Sequence, residues 1–257
     1  MRTFIAVAAL AAALAACSSN TGTPTATSSA APAANKVTPK PLDLTGVANL
    51  PAAPAAKGPS ASCDYQPSGA PPKPVTLPSH TAATDGTATI ALTTSQGPIG
   101  LTLNKTQAPC TVHSFVSLAK QGYYDNSPCH RLSTENLLIL QCGDPTGSGT
   151  GGPGYAYANE FPSTAYAASD PKLQLPVVYP RGTIAMANTG QPRSNGSQFF
   201  LVYADSPLPP MYTVFGTISE AGLATIEKVA VAGDDGSIPA GGGKPNLSIT
   251  IEKATAS

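Results

Sequence analysis

The sequence predicts a mainly β domain, a barrel or a sandwich, that also carries two short helices. Three observations lead there. The apolar runs are short and strand-like. The 24 glycines and 27 prolines of this 257-residue chain punctuate those runs with turns. Only two segments space their apolar residues as a helix does.

Taken in order, Thr87 to Thr93 alternates polar and apolar residues, turns at Gln96-Gly97-Pro98 and resumes as Ile99 to Leu103, a β-hairpin. From Pro109 to Ala119, Val112, Phe115, Val116 and Ala119 recur at helical spacing, with Pro109 at the start and Gly122 just past the end. A second hairpin runs from Cys129-His130-Arg131-Leu132 through a loop at Thr134-Glu135-Asn136 to Leu137–Gln141. Gly147 to Gly154 reads as a tightly turning loop; it lacks the lysine and the strand–loop–helix setting of a phosphate loop. Thr183–Ala187 and Ser197–Tyr203 read as strands, the second entered through the Asn195-Gly196 turn signal. Leu223, Ile226 and Val229 mark the second helix, and Asn246–Ile251 the closing strand.

The chain starts with Met1-Arg2, continues through the apolar Phe4–Val7 and an Ala/Leu-rich run, and reaches Cys17 after small residues. This is the pattern of a secretory signal, too short to span a bilayer. Leu14-Ala15-Ala16-Cys17 is similar to the bacterial lipobox, in which the cysteine is lipidated and becomes the mature N-terminus. The expected organisation is therefore a signal peptide over 1–17, a disordered Pro/Ala/Ser/Thr-rich stalk over 18–84, and a folded domain over 85–257. The stalk composition offers too little apolar surface to offset the entropy of ordering. Only Ser62-Cys63-Asp64-Tyr65 interrupts it, as a segment able to pack on the domain. A formal net charge of zero, with 11% charged residues, leaves no basic footprint for nucleic acid.

Besides Cys17 there are four cysteines, Cys63, Cys110, Cys129 and Cys142, an even number that suits disulfides in an exported protein. None has the Cys-x-x-Cys spacing of a zinc or redox site, and three connectivities are open. If the strands of the second hairpin pair as neighbours, Cys129 and Cys142 face each other across it. Cys63 and Cys110 then remain as the other pair.

The candidate site gathers around Asn195-Gly196-Ser197-Gln198-Phe199-Phe200-Leu201, which places one amide beside two phenylalanines, a setting for a small and mostly apolar ligand. With Met186-Ala187-Asn188, His130-Arg131, Gln141-Cys142-Gly143-Asp144 and Tyr212-Thr213-Val214-Phe215-Gly216, in that order, the chain resembles the cyclophilins, a family of peptidyl-prolyl cis–trans isomerases. The resemblance covers about 85 to 253. It implies an eight-stranded antiparallel closed barrel capped by two α-helices. It also implies Arg131 as the cation that meets the prolyl nitrogen, with Cys129 where the family has Phe. Gln141 is the matching buttress of that arginine. Phe200 is the implied floor of the proline seat, with Leu208, Ile139 and Leu138 as walls. Ala187 and Asn188 match the pair whose backbone binds the residue before proline, and Gln198 the polar contact opposite. Two departures stand out: Pro207 takes the place of a tryptophan, and Tyr212 that of a histidine.

The resemblance implies an enzyme without metal or cofactor, a monomer that acts on proline-containing polypeptides. With Cys17 lipidated, the protein would be anchored to the membrane on the extracytoplasmic side. A hydrolase is not supported, since no Gly-x-Ser-x-Gly elbow is present. The competing reading is a non-catalytic module that binds proline peptides. The set Arg131, Gln141, Gln198 and Phe200 favours catalysis, because simple binding needs no buttressed cation.

Overall fold

The computed structural model describes residues 40–55 and 58–257. The expected signal peptide and Cys17 lie outside the described residues. In chain order the elements are β1 (Ala48–Asn49), β2 (Ser60–Ser62), β3 (Gln66–Pro67), β4 (Thr81–Ala83), β5 (Thr87–Thr94), β6 (Gly97–Asn104), α1 (Pro109–Lys120), β7 (Ser127–Pro128), β8 (Arg131–Thr134), β9 (Leu138–Cys142), β10 (Tyr155–Ala156), β11 (Val177–Tyr179), β12 (Thr183–Met186), β13 (Phe199–Val202), β14 (Ser206–Leu208), β15 (Val214–Ile218), α2 (Glu220–Val231) and β16 (Thr250–Ala256).

Nine strands form one antiparallel sheet in the order β7-β16-β5-β6-β15-β12-β13-β9-β8. The sheet curls into a half-barrel whose edge strands, β7 and β8, do not pair. The closed eight-stranded barrel implied by the resemblance is therefore corrected to an open nine-stranded one. The physical reason lies at the edges. β7 is two residues long and ends in a proline, which cannot donate to a ladder. The free edge of β8 is covered instead by a loop: Leu132 N–H donates to Gly243 O at 2.8 Å and Gly243 N–H to Leu132 O at 2.9 Å.

The concave face holds the main core. Leu92, Ile99, Leu101 and Leu103 of the first hairpin meet Val112, Phe115 and Leu118 of α1 and Leu223, Ile226 and Val229 of α2, all buried. α1 opens on a proline, and its first N–H groups are capped from afar by the Glu160 carboxylate, which accepts from Cys110 N–H at 3.0 Å and Thr111 N–H at 2.8 Å. α2 is capped by the Ser219 hydroxyl, which accepts from Gly222 N–H at 3.1 Å. The last strand starts at Thr250, later than the expected 246. Asn246 is occupied at the end of α2, where its side chain donates to Ala232 O at 3.0 Å.

Within its described part, the segment expected as a disordered stalk is ordered, which moves that boundary. Residues 40–55 and 58–84 contribute β1 to β4, and Tyr65 is buried against Tyr155 and Tyr157. The composition is poor in apolar residues, yet Leu42, Leu50, Val75 and Ala82 pack on the two apolar clusters, β1 pairs with β11, and Cys63 and Tyr65 add further anchors. Cys63 is bonded to Cys110, and the Tyr65 hydroxyl donates to Cys110 O at 2.8 Å.

The second disulfide joins Cys129 to Cys142, so both expected pairings are present. The expected register is off by one residue. Arg131 faces Gln141 and Thr134 faces Leu138, a register that would set Cys129 against Gly143. The ladder ends at Arg131, and Cys129 N–H turns away to Ile249 O. This bend brings the two Cα atoms to 4.0 Å.

Candidate active site

Period-2 alternation sends one set of side chains into the core and the other to the convex face. On the convex face the register lines up a single row. Arg131 of β8 faces Gln141 of β9, Gln141 faces Phe200 of β13, and Phe200 faces Ala185 of β12. Two residues along, Ile139 faces Val202 on the same side. A second apolar cluster forms there from Ile139, Phe161, Val177, Tyr179, Ala185, Phe200, Val202, Leu208 and Val214, with Ala187 and Tyr212 packed against it.

Phe200, 3% exposed, is the base of this cluster. Its ring meets Tyr212 edge-to-face at 5.7 Å between centroids, and Tyr179 lies at 6.3 Å. The Tyr179 hydroxyl lies within bonding distance of Pro209 O (3.1 Å) and Tyr212 O (3.0 Å), fixing the turn that presents Tyr212. Burial pushes the Tyr179 hydroxyl pKa up, so it stays protonated. Leu208, on β14 opposite Val177, closes one side of the floor. Leu138 does not belong here. It faces the main core with Leu132 and Leu140, because adjacent residues of a strand point to opposite faces. Ile139 alone takes the wall expected of the pair.

Arg131 is half-buried, and its guanidinium is held on two sides. Nε and Nη2 donate to Gly241 O at 3.2 and 3.0 Å, and Nη1 to Gln141 Oε1 at 3.4 Å. Among the described residues those three bonds leave two of its five N–H groups without an acceptor. Burial lowers its pKa, opposed by Tyr212 and Asp234, and the group stays charged. Gln141 Nε2 donates to Gln198 Oε1 at 2.9 Å, and Gln198 Nε2 donates to Gly149 O and Gly151 O, both at 2.9 Å. Ala187 N–H pairs with Gln198 O at 2.9 Å. The Asn188 side chain is committed to its own surroundings, donating to Met211 O at 2.9 Å and accepting from Gly190 N–H at 2.9 Å. The side chain is thus occupied, and only the backbone of Asn188 is left for the contact expected of it.

His130, next to Arg131, has its ring buried beside Gly149, and neither ring nitrogen finds a hydrogen-bond partner among the described residues. Burial lowers its pKa and favours the neutral imidazole, and the nearby Asp144 carboxylate opposes this in part. Among the described residues no group of three or more His, Cys, Asp or Glu side chains gathers to hold a metal.

The structure thus brings together Arg131, Gln141, Gln198, Phe200, Ile139, Leu208, Tyr212 and Ala187, with Asn188 adjoining, and removes Leu138. Sequence reasoning missed Tyr179, Phe161, Val214 and the carbonyls of Gly149, Gly151 and Gly241. The Gly147–Gly154 run signals a special loop, but a backbone acceptor leaves no mark in residue type.

The family model described as cyclophilin type peptidyl-prolyl cis-trans isomerase/CLD matches residues 89–256. The chain belongs to this family. It is similar to the probable peptidyl-prolyl cis-trans isomerase B of Mycobacterium tuberculosis (strain CDC 1551 / Oshkosh), at 54% identity over 197 residues, 74% of this chain and 62% of that one. The Mycobacterium leprae (strain TN) protein of the same name is 52% identical over 201 residues, 74% of this chain and 65% of that one. The chain thus spans less than two thirds of the length of these relatives. Among solved structures, the crystal structure of a Cryptosporidium parvum cyclophilin type peptidyl-prolyl cis-trans isomerase matches with a TM-score of 0.51 at 28% identity, covering 67% of this chain and 98% of that one. A second structure of that protein, in the presence of the dipeptide Ala-Pro, matches with a TM-score of 0.50 at 28% identity, covering 66% and 98%.

Proposed function

We propose that this cyclophilin is an active peptidyl-prolyl cis–trans isomerase of exported polypeptides, assisting their folding at the cell envelope. The observation that carries the reading is the row from Arg131 through Gln141 to Phe200, a buttressed cation beside an apolar floor. Rotation about an X-Pro bond breaks amide resonance, a barrier of ~18–20 kcal/mol. In the twisted state the prolyl nitrogen regains its lone pair and accepts a hydrogen bond it cannot accept when planar. A proline ring on Phe200, between Ile139, Leu208 and Tyr212, puts that nitrogen within reach of a free N–H of Arg131. The donor binds the twisted state better than either planar isomer, which is the condition for catalysis. No bond is made or broken, so no nucleophile, base or cofactor is required. The Ala-Pro dipeptide named for the Cryptosporidium parvum structure supports proline peptides as the substrate class.

The alternative, a module that binds proline peptides without turning them over, needs the apolar floor but not a guanidinium fixed on two sides. A protease-coupled isomerisation assay on an X-Pro peptide decides between them. Arg131→Ala should lower kcat/KM about tenfold or more. Full activity in a folded Arg131→Ala variant would remove Arg131 from the mechanism, and an inert wild type would leave the binding module.

The cellular setting belongs to the same proposal. Leu14-Ala15-Ala16-Cys17 supports export with lipidation of Cys17 and anchoring as a monomer on the extracytoplasmic side. Two disulfides suit an oxidising compartment. Membrane fractionation tests the anchor: Cys17→Ala should release the protein, and release of the wild type would count against it.

A further inference from the structure

The relay that fixes Arg131 continues beyond Gln198, to a carboxylate that touches no part of the proline seat. Asp144 is fully buried, immediately after the β9 strand and Gly143. Gly143 is required where it stands: its φ is +93°, and a Cβ there would lie 2.3 Å from Ser197 O. The turn it makes sends the Asp144 side chain into the centre of the 145–151 loop. There Oδ1 accepts from Thr146 N–H at 2.8 Å and Thr146 Oγ1 at 2.7 Å. Oδ2 accepts from Ser148 Oγ at 3.1 Å, Gly149 N–H at 2.8 Å and Gly151 N–H at 3.0 Å. The carboxylate fills the loop so closely that a Cβ on Gly151 would meet Oδ1 at 2.1 Å.

Gly149 and Gly151 therefore face two ways. Their N–H groups point to Asp144, and their carbonyls both accept from Gln198 Nε2. Both amide hydrogens of Gln198 are thereby engaged, and a flipped amide would set its oxygen against two carbonyls. The amide orientation is fixed, so Gln198 Oε1 must face Gln141 Nε2. Gln141 must then offer Oε1 to Arg131 Nη1. The polarity of the whole relay is decided at its Asp144 end.

We propose that Asp144 is a positioning residue for Arg131, acting through the 145–151 loop, Gln198 and Gln141. The claim rests on the isomerase reading of the site. A carboxylate is suited to the task because it only accepts: five donors converge on it, and a carboxamide would turn an N–H toward some of them. Without it the two carbonyls lose their common direction, Gln198 gains a second orientation, and Gln141 can turn its NH2 toward the guanidinium.

The test is a double-mutant cycle in the isomerisation assay. Asp144→Asn should lower kcat about tenfold and leave peptide affinity, measured by titration, unchanged, because the Phe200 floor does not move. In an Arg131→Ala background Asp144→Asn should cost nothing further, since the group it aims is gone. A merely structural role would lower the melting temperature yet give the same fractional loss in both backgrounds; that additive result overturns the proposal, as does full activity in Asp144→Asn. Should Asp144→Asn fail to fold, Gln198→Met breaks the relay while keeping every bond between Asp144 and the loop. Its loss should match in size and likewise vanish without Arg131, and wild-type activity in it would overturn the proposal. A wild-type chain without activity would sink the isomerase reading instead. The Arg131 Nε–H resonance in NMR spectra then decides: a shifted signal in Asp144→Asn supports positioning, and an unmoved one refutes it.

Discussion

Removing the disulfide between Cys63 and Cys110 should destabilise this protein strongly while leaving its chemistry intact. The bond joins residues 47 apart in sequence. In the chain-entropy description, closing a loop of that size in the unfolded state contributes about 4 kcal/mol. For a chain of this length each kcal/mol moves the melting temperature by about 2–4 °C, so the double variant Cys63→Ser/Cys110→Ser should melt about 8–16 °C lower. Its kcat/KM at 15 °C should match wild type. Outside its own helix the Cys110 backbone bonds Tyr65 and Glu160, neither of which belongs to the relay from Asp144 to Arg131. The other disulfide is the contrast. Cys129 and Cys142 are 13 apart, which gives about 3 kcal/mol on the same scale, a smaller thermal loss. Yet Cys142 adjoins Gln141 and Cys129 lies just ahead of Arg131, so breaking this bond should lower kcat/KM as well. Calorimetric melting and the isomerisation assay on both double variants suffice. The reasoning is refuted if Cys63→Ser/Cys110→Ser melts with wild type, or if it loses activity while still folded.

The facing of β9 makes a second test. Leu138→Ala should cost about 2–5 kcal/mol of stability with KM unchanged, whereas Ile139→Ala should raise KM; the reverse pattern in peptide titrations would place the wrong residue at the proline seat. Acid should weaken the fold through His130. Burial lowers its native pKa below the unfolded value near 6.5, so as pH falls from there the unfolded state takes up a proton that the native state refuses. Stability is lost through that window, by at most about 1.4 kcal/mol per pH unit from this group, until the native pKa is reached. Urea midpoints at pH 7.5 and 5.5 should converge in His130→Asn relative to wild type; an equal drop in both proteins would exclude His130 as the source.

Much of this site is legible in the sequence because its chemistry resides in side chains on regular strands. The alternation in Thr87–Thr94 and Gly97–Asn104, and the order of Arg131, Gln141, Gln198 and Phe200 along the chain, follow from a period of two and from residue type. Leu138 was beyond reach of that logic. The turn between β8 and β9 sets which of two adjacent apolar residues faces out, and residue type alone does not fix that register. The openness of the barrel was hidden for a related reason, since it depends on Gly243 arriving at the edge of β8 from a distant loop.

The described part of 18–84 shows how composition misleads when a few contacts decide. Pro- and Ala-rich chain has little to bury, but one disulfide, one tyrosine among Tyr155 and Tyr157, the pairing of β1 with β11 and a few packed aliphatic residues anchor it. The groups that aim Arg131 were the least visible of all. Gly241 is 110 residues away in sequence, and it acts through a carbonyl that every residue possesses. The same holds for Gly149 and Gly151. What selects glycine at 143 and 151 is the space that Ser197 O and the Asp144 carboxylate already occupy. The side chain proposed to act on proline can therefore be read from the sequence, whereas its orientation is set by backbone whose position depends on the finished fold.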